Sequence, residues 1–243
     1  MLFNDKLLFV HTPKTAGTSV TSFLIANLPR GVTLTEPPDR PDPSLPLSTT
    51  ARLKLELRRL RRTLGLSLRA SLKRIDGTRH ESLQEAAEAL APLGRNLRDF
   101  EAIVAVIRNP YDLEVSRFHF FRRGHHGVKG LAHEYAEELA LAGDFGAFAR
   151  KAPYHGRLPG RIEDWYEIDG AMPPNLRLVR FETLEEDLYR IVGGLYPIGS
   201  KLPKLNATKH GPYAGYLTTE IEEAIYRKYR WLFDRQFYRR ERM

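Results

Sequence analysis

Hydrophobic and polar positions along this chain fall into short apolar runs separated by stretches of helical spacing. Leu7, Leu8, Phe9 and Val10 form a run of strand length. Residues 11–19 are small and polar, and 20–28 have the spacing of a helix. Residues 100–107 contain Ile103-Val104-Ala105-Val106-Ile107, a continuous, largely β-branched run of the kind found in strands covered on both faces. Asn109-Pro110 then supplies an N-cap and a first-turn proline, and 111–123 continue as a helix. Residues 81–93, 131–141, 145–149, 184–192 and 221–237 predict further helices, and 176–181 a further strand. Short buried strands alternating with helices predict the α/β class: three layers, with a central parallel sheet and helices on both faces. Ligands of such sheets bind beyond the carboxyl ends of the strands, where both Lys14 and Arg108 fall.

One stretch breaks the rhythm. Residues 30–50 carry Pro37, Pro38, Pro41, Pro43 and Pro46 and read as an extended connection with little core. Residues 51–75 are rich in leucine and arginine and read as a basic, partly amphipathic helical stretch. Together they predict a Pro-rich and basic helical insertion at about 30–76 within one domain spanning 1–243.

Composition narrows the classes. A chain of 243 residues can bury a substantial core as a single domain. It has no cysteine, which excludes a disulfide scaffold, a thiolate metal site and a cysteine nucleophile. His11 and Pro13 interrupt the first apolar run too early for a secretory signal. No run approaches the roughly 18–20 apolar residues of a membrane span, so the expected location is cytoplasmic. The net charge is +8, and residues 51–75 hold nine basic residues against Glu56 alone. That segment carries the whole excess, which favours anionic partners. It has no aromatic residue for base stacking, so nucleic acid is not expected, whereas peripheral contact with an anionic membrane is.

A strand that turns directly into a helix aims unpaired backbone N–H groups at one point, which makes an anion site. Lys14 stands at the lip of such a turn, followed by Thr15, Ala16, Gly17, Thr18 and Ser19. A nucleoside triphosphatase loop places its lysine after the last glycine, but here Lys14 precedes Gly17. In the second turn Arg108 leaves a buried strand end, and Ser116 follows eight positions on, about two helical turns away. The guanidinium is a forked, permanent donor suited to phosphate oxygens; the plain alternative is that Arg108 pairs with a carboxylate.

These two motifs, about ninety residues apart, resemble those of the PAPS-dependent sulfotransferases, most closely the family 2 group that includes carbohydrate sulfotransferases. Arg180-Phe181-Glu182-Thr183-Leu184 and Leu205-Asn206-Ala207-Thr208-Lys209 also look like family members. The resemblance implies a fold like that of the P-loop nucleotide hydrolases. It further implies transfer of a sulfuryl group from 3′-phosphoadenosine 5′-phosphosulfate (PAPS) to a hydroxyl of a carbohydrate or glycoconjugate, with PAP leaving and no metal required. By that likeness Lys14 to Ser19 hold the 5′-phosphosulfate, Arg108 and Ser116 hold the 3′-phosphate, and Thr208 and Lys209 close over the nucleotide. Lys14 would meet the charge that grows on the leaving oxygen in an in-line displacement.

His80 resembles the histidine that opens the equivalent helix in family 2 enzymes and is the candidate base for the acceptor hydroxyl. His119, His125 and His133 compete for that role, and His11 reads as structural. His125-His126 are adjacent and read as a solvated loop rather than metal ligands. Arg117, Arg122 and Arg123, with the arginines of 51–75, would attract an acidic acceptor, expected to be a glycan or glycolipid; a solvated helix end is the bland alternative for Arg122 and Arg123. Two other functions compete. A P-loop small-molecule kinase meets the misplaced lysine and lacks a clear magnesium-binding acid after a strand. A polyanion- or membrane-surface-binding module would centre on 51–75.

Overall fold

The apolar runs lie side by side in one sheet. The computed structural model describes residues 1–29, 31–36, 72–78, 80–124, 131–154, 160–205 and 210–241. Its strands are β1 (Leu2–Phe3), β2 (Leu7–Val10), β3 (Thr33–Glu36), β4 (Lys73–Asp76), β5 (Ala102–Ile107) and β6 (Leu176–Arg180), in the order β4-β3-β1-β2-β5-β6. β2, β5 and β6 pair in parallel, with Val10 opposite Ala105 and Ile107 opposite Arg180.

The sheet is mixed, which corrects the expectation of a purely parallel one. β1 runs antiparallel to both β2 and β3, while β3 and β4 are parallel. The cause is a tight turn. Asn4 Oδ1 accepts from the N–H groups of Lys6 and Leu7, and so short a connection can join only antiparallel strands.

Side chains alternate across the strands and find helices on each side. Leu7, Phe9, Val104, Val106 and Val179 pack with Val20, Phe23 and Leu24 of α1 (Gly17–Asn27). The same cluster takes in Leu188 and Val192 from a helix at Leu184–Gly193. Leu8, Val10, Ile103, Ala105 and Ile107 join the opposite cluster, built from α2 (Leu83–Leu90), α3 (Pro110–Arg122), α4 (Leu131–Leu141) and α5 (Phe145–Lys151). In chain order the helix at Leu184–Gly193 is α6, followed by α7 (Thr219–Lys228) and α8 (Arg230–Asp234). A sheet carpeted on both faces gives the three layers that the sequence predicts.

Three boundaries differ from expectation. β3 and β4 take the two ends of the expected insertion into the sheet; residues 37–71, with most of the basic stretch, lie outside the described residues. β4 reads Lys-Arg-Ile-Asp, and the charges that hide it from a hydrophobicity pattern suit an edge strand. The second helix starts at Leu83 rather than at 81, because Ser82 and Glu85 form a reciprocal capping box. The expected closing helix over 221–237 is two helices broken at Tyr229 (φ −112°, ψ 21°), whose ring is buried. No helix among the described residues is long and apolar enough to cross a membrane.

Candidate anion-binding site at two strand–helix turns

The turn from β2 to α1 is held in an unusual shape by its own side chains. Lys14 and Ala16 both have φ of 61°, a left-handed conformation that costs a side-chain-bearing residue about 1 kcal/mol or more. Thr15 Oγ1 donates to Thr12 O at 2.9 Å, and Thr12 Oγ1 donates to Val106 O at 2.8 Å, stapling the turn to β5. Ala16 is the N-cap of α1 and has no side-chain oxygen with which to accept from the first-turn N–H groups. Gly17 is required by a close approach: a Cβ there would stand 1.8 Å from the His11 imidazole. The Lys14 ammonium lies 4.2 Å above the Phe120 ring. Burial, then the Arg108 and Arg123 charges, lowers the Lys14 pKa to about 8.

The turn from β5 to α3 comes to the same place. Asn109 Oδ1 accepts from Tyr111 N at 3.0 Å, completing the expected N-cap. Arg108 is buried and pairs with a carboxylate, as the plainer reading of the sequence expects. Its Nε and Nη2 reach Asp112 Oδ2 at 2.8 and 2.6 Å, while its Nη1 donates to Lys14 O at 2.8 Å. Phe181 lies flat beneath it, 4.2 Å from the guanidinium. Three of its five N–H donors are thereby engaged and two remain. Ser116 is 1% exposed, and its Oγ has no partner among the described residues. The 180–184 motif builds this turn from behind: Glu182 accepts from Asn109 N–H and from the Tyr238 hydroxyl, both at 2.8 Å. The sequence offered the motif but no hint of that role.

His80 joins the first turn. Its Nδ1 is 3.1 Å from His11 O, and its ring meets the His11 ring edge-on at 4.5 Å. A carbonyl can only accept, so Nδ1 carries a hydrogen. His119 Nε2 is 2.8 Å from the Tyr216 hydroxyl, and its ring stacks at 5.8 Å on His210, a residue the sequence reading passed over. His210 Nε2 in turn lies 3.9 Å from Asp112 Oδ1. Burial, then His210 and the Arg122 and Arg123 charges, lowers the His119 pKa. His133 packs on Phe121, and its pKa falls through burial and the Arg117 charge. His125, His126, Asn206, Thr208 and Lys209 lie outside the described residues.

Arg117 corrects an expectation. It is 1% exposed and donates to Glu114 at 2.6 Å, so it cannot receive an acidic acceptor. Its place in the helix gave it the look of a surface cation, yet it faces inward, where Glu114 also meets Lys228 at 2.6 Å. Arg122 and Arg123 are exposed at the end of α3. Ser19 is 4% exposed, and its Oγ accepts from Leu205 N at 3.0 Å. A cleft of about 1030 Å³ between α5, α7 and α8 is lined by Arg150, Tyr154, Lys228 and Trp231 among others and includes none of the expected site residues. Among the described residues no group of three or more His, Asp or Glu side chains is arranged to hold a metal ion.

Comparison with family models, with curated proteins and with solved structures finds no match to this chain. The arrangement itself is two helix N-termini at neighbouring ends of parallel strands, with a lysine and an arginine joined through one hydrogen bond. Chemically it is suited to an anion with two charged ends.

Proposed function

We propose that the protein is a cytoplasmic PAPS-dependent sulfotransferase with the P-loop-like sulfotransferase fold, moving a sulfuryl group to a hydroxyl of a carbohydrate or glycoconjugate. One observation carries the reading: Arg108 Nη1 donates to Lys14 O at 2.8 Å, so the two motifs of the sequence resemblance meet in space. The residues present fit the nucleotide. The first-turn N–H groups of α1 and the Lys14 ammonium would hold the 5′-phosphosulfate. The two remaining Arg108 donors would hold the 3′-phosphate, with Asp112 keeping the guanidinium oriented; the Ser116 hydroxyl is unpartnered but enclosed, with no surface for the phosphate to meet. Bound PAPS supplies an activated sulfuryl group with a phosphate leaving group. Lys14 would place positive charge where that leaving group gains negative charge, and His80 would take the acceptor's proton.

The test is nucleotide binding and turnover by the purified full chain. PAP should bind more tightly than 5′-AMP, and labelled PAPS should pass its sulfate to a member of a glycan panel. Arg108→Ala should weaken PAP by about a hundredfold, the loss of a charge-assisted contact, while leaving 5′-AMP nearly unchanged. His80→Ala should lower kcat and spare PAP binding. Tight ATP binding with no response to PAP would instead indicate the kinase reading.

A further inference from the structure

Lys14 is the centre of a cluster of cations. Its ammonium lies 4.2 Å from the centre of the Phe120 ring, so the first turn packs against the last turn of α3. Arg123 follows Phe120 by three residues, a spacing that sets two side chains next to each other on a helix surface. Its N–H donates to the Phe120 and Phe121 carbonyls, which fixes where the side chain starts. The charge it carries reaches the turn: after burial, Arg108 and Arg123 are what lower the Lys14 pKa. Arg122 points another way, with its guanidinium 6.0 Å from the Phe118 ring.

The two arginines differ in how their charge is answered. Arg108 shares Asp112 Oδ2 through two of its nitrogens. Arg123 is exposed and has no carboxylate within ion-pair distance among the described residues. Like charges repel, so an anion bound beside Lys14 and an unanswered guanidinium relieves a repulsion that the fold itself creates. An arginine that served only the helix C-terminus could stand on any face of α3; this one stands on the face that Phe120 presents to Lys14.

We infer that Arg123 is a third cation of the first anion turn: it binds the group held there from the solvent side, while the α1 N–H groups and Lys14 hold it from within. The inference rests on the sulfotransferase reading only for the identity of the ligand. The class it fits is an anhydride of two tetrahedral oxyanions, because a planar fork can bridge two oxygens. Arg108 and Arg123 then divide the ligand between them. Arg108 takes the group at the second turn and Arg123 the group at the first, so a ligand with a single phosphate engages Arg123 alone.

The experiment measures Kd for PAP, 5′-AMP and inorganic pyrophosphate in the full-length protein and in Arg123→Ala, Arg123→Lys and Arg227→Ala. Arg123→Ala should weaken all three about tenfold, the loss of one charge-assisted contact, because all three fill the first turn. That pattern differs from Arg108→Ala, which spares 5′-AMP. Arg123→Lys keeps the charge and should stay within about threefold of wild type. Arg227→Ala removes an equal charge from an exposed position on α7 and should stay within about twofold. Without ligand, the Lys14 pKa, read by pH-dependent acetylation with acetic anhydride, should rise in Arg123→Ala alone, because one like charge has gone. Unchanged Kd values in Arg123→Ala would overturn the inference, and so would an equal loss in Arg227→Ala, which reduces the effect to net charge. Unchanged Kd values joined to lost turnover on an acidic glycan would assign Arg123 to the acceptor instead. If wild type binds pyrophosphate but neither nucleotide, the sulfotransferase reading fails by itself and pyrophosphate alone decides Arg123. A wild type that binds no pyrophosphate ends the inference.

Discussion

Lys14 concentrates the competition between stability and binding in one side chain. Its amine is largely buried, faces two arginines, and sits on a left-handed backbone. Its pKa falls from the ordinary 10.5 to about 8, so between those values the unfolded chain binds more protons than the folded one. The contribution of Lys14 to stability therefore rises as pH climbs through that window, and below about pH 8 the charged, buried amine destabilises the fold in full. Lys14→Met should raise the urea midpoint at pH 7 while abolishing nucleotide binding. A lowered midpoint would mean that the lysine serves the fold. Anion affinity should run the opposite way in pH, declining as the amine discharges above about pH 8; calorimetric titration across pH 6–10 reads this directly.

At this scale residue types were legible and their partners were not. Spacing put Lys14 and Arg108 at strand ends. It could not show that Asp112, four positions along, shares the guanidinium, or that Phe181, just past the end of β6, lies beneath it. Gly17 read as a loop residue; the reason it must be glycine is the His11 ring against its Cα.

Elements were legible where a local rule governs them. Asn109-Pro110 predicts the start of a helix, and the structure delivers it, with Asn109 Oδ1 accepting from Tyr111 N. Asn109→Ala should cost about 1 kcal/mol, the usual loss of such a cap, in a chemical denaturation curve. The effect belongs to the side chain, because the Asn109 N–H still donates to Glu182. Elements became illegible where a distant contact overrode the local pattern. The two-residue β1 exists because β2 and β3 flank it. The break at Tyr229 places its hydroxyl on Glu114, more than a hundred residues away, and no periodicity within 221–237 announces that.

At the scale of the whole molecule, a buried polar cluster ties α3 to α7 and takes in Arg117, which the sequence had offered to an acidic acceptor. Glu114 and Arg117 of α3 meet Lys228 of α7 and the Tyr229 hydroxyl at the break that follows it. Burial alone would push the Glu114 carboxyl up, but Arg117 and Lys228, with hydrogen bonds from Lys228 and Tyr229, hold it below the usual range. Burial takes Lys228 down to about 8 even so. Removing one member strands the others in a dry interior. Arg117→Ala should therefore destabilise the fold by about 3–5 kcal/mol, measured as a fall in the urea midpoint. If Arg117 instead received an acidic acceptor, the variant would keep its stability and lose acceptor affinity.

Local order along the chain decided the α/β class, both strand–helix turns and the cationic residues that mark them, because each follows from hydrophobic period, a cap or a short run of small residues. Tertiary packing alone decided the inward turn of Arg117 and the link from Arg108 to Lys14. Those depend on which distant groups lose water together, and pairings across about a hundred residues leave no trace in a local pattern.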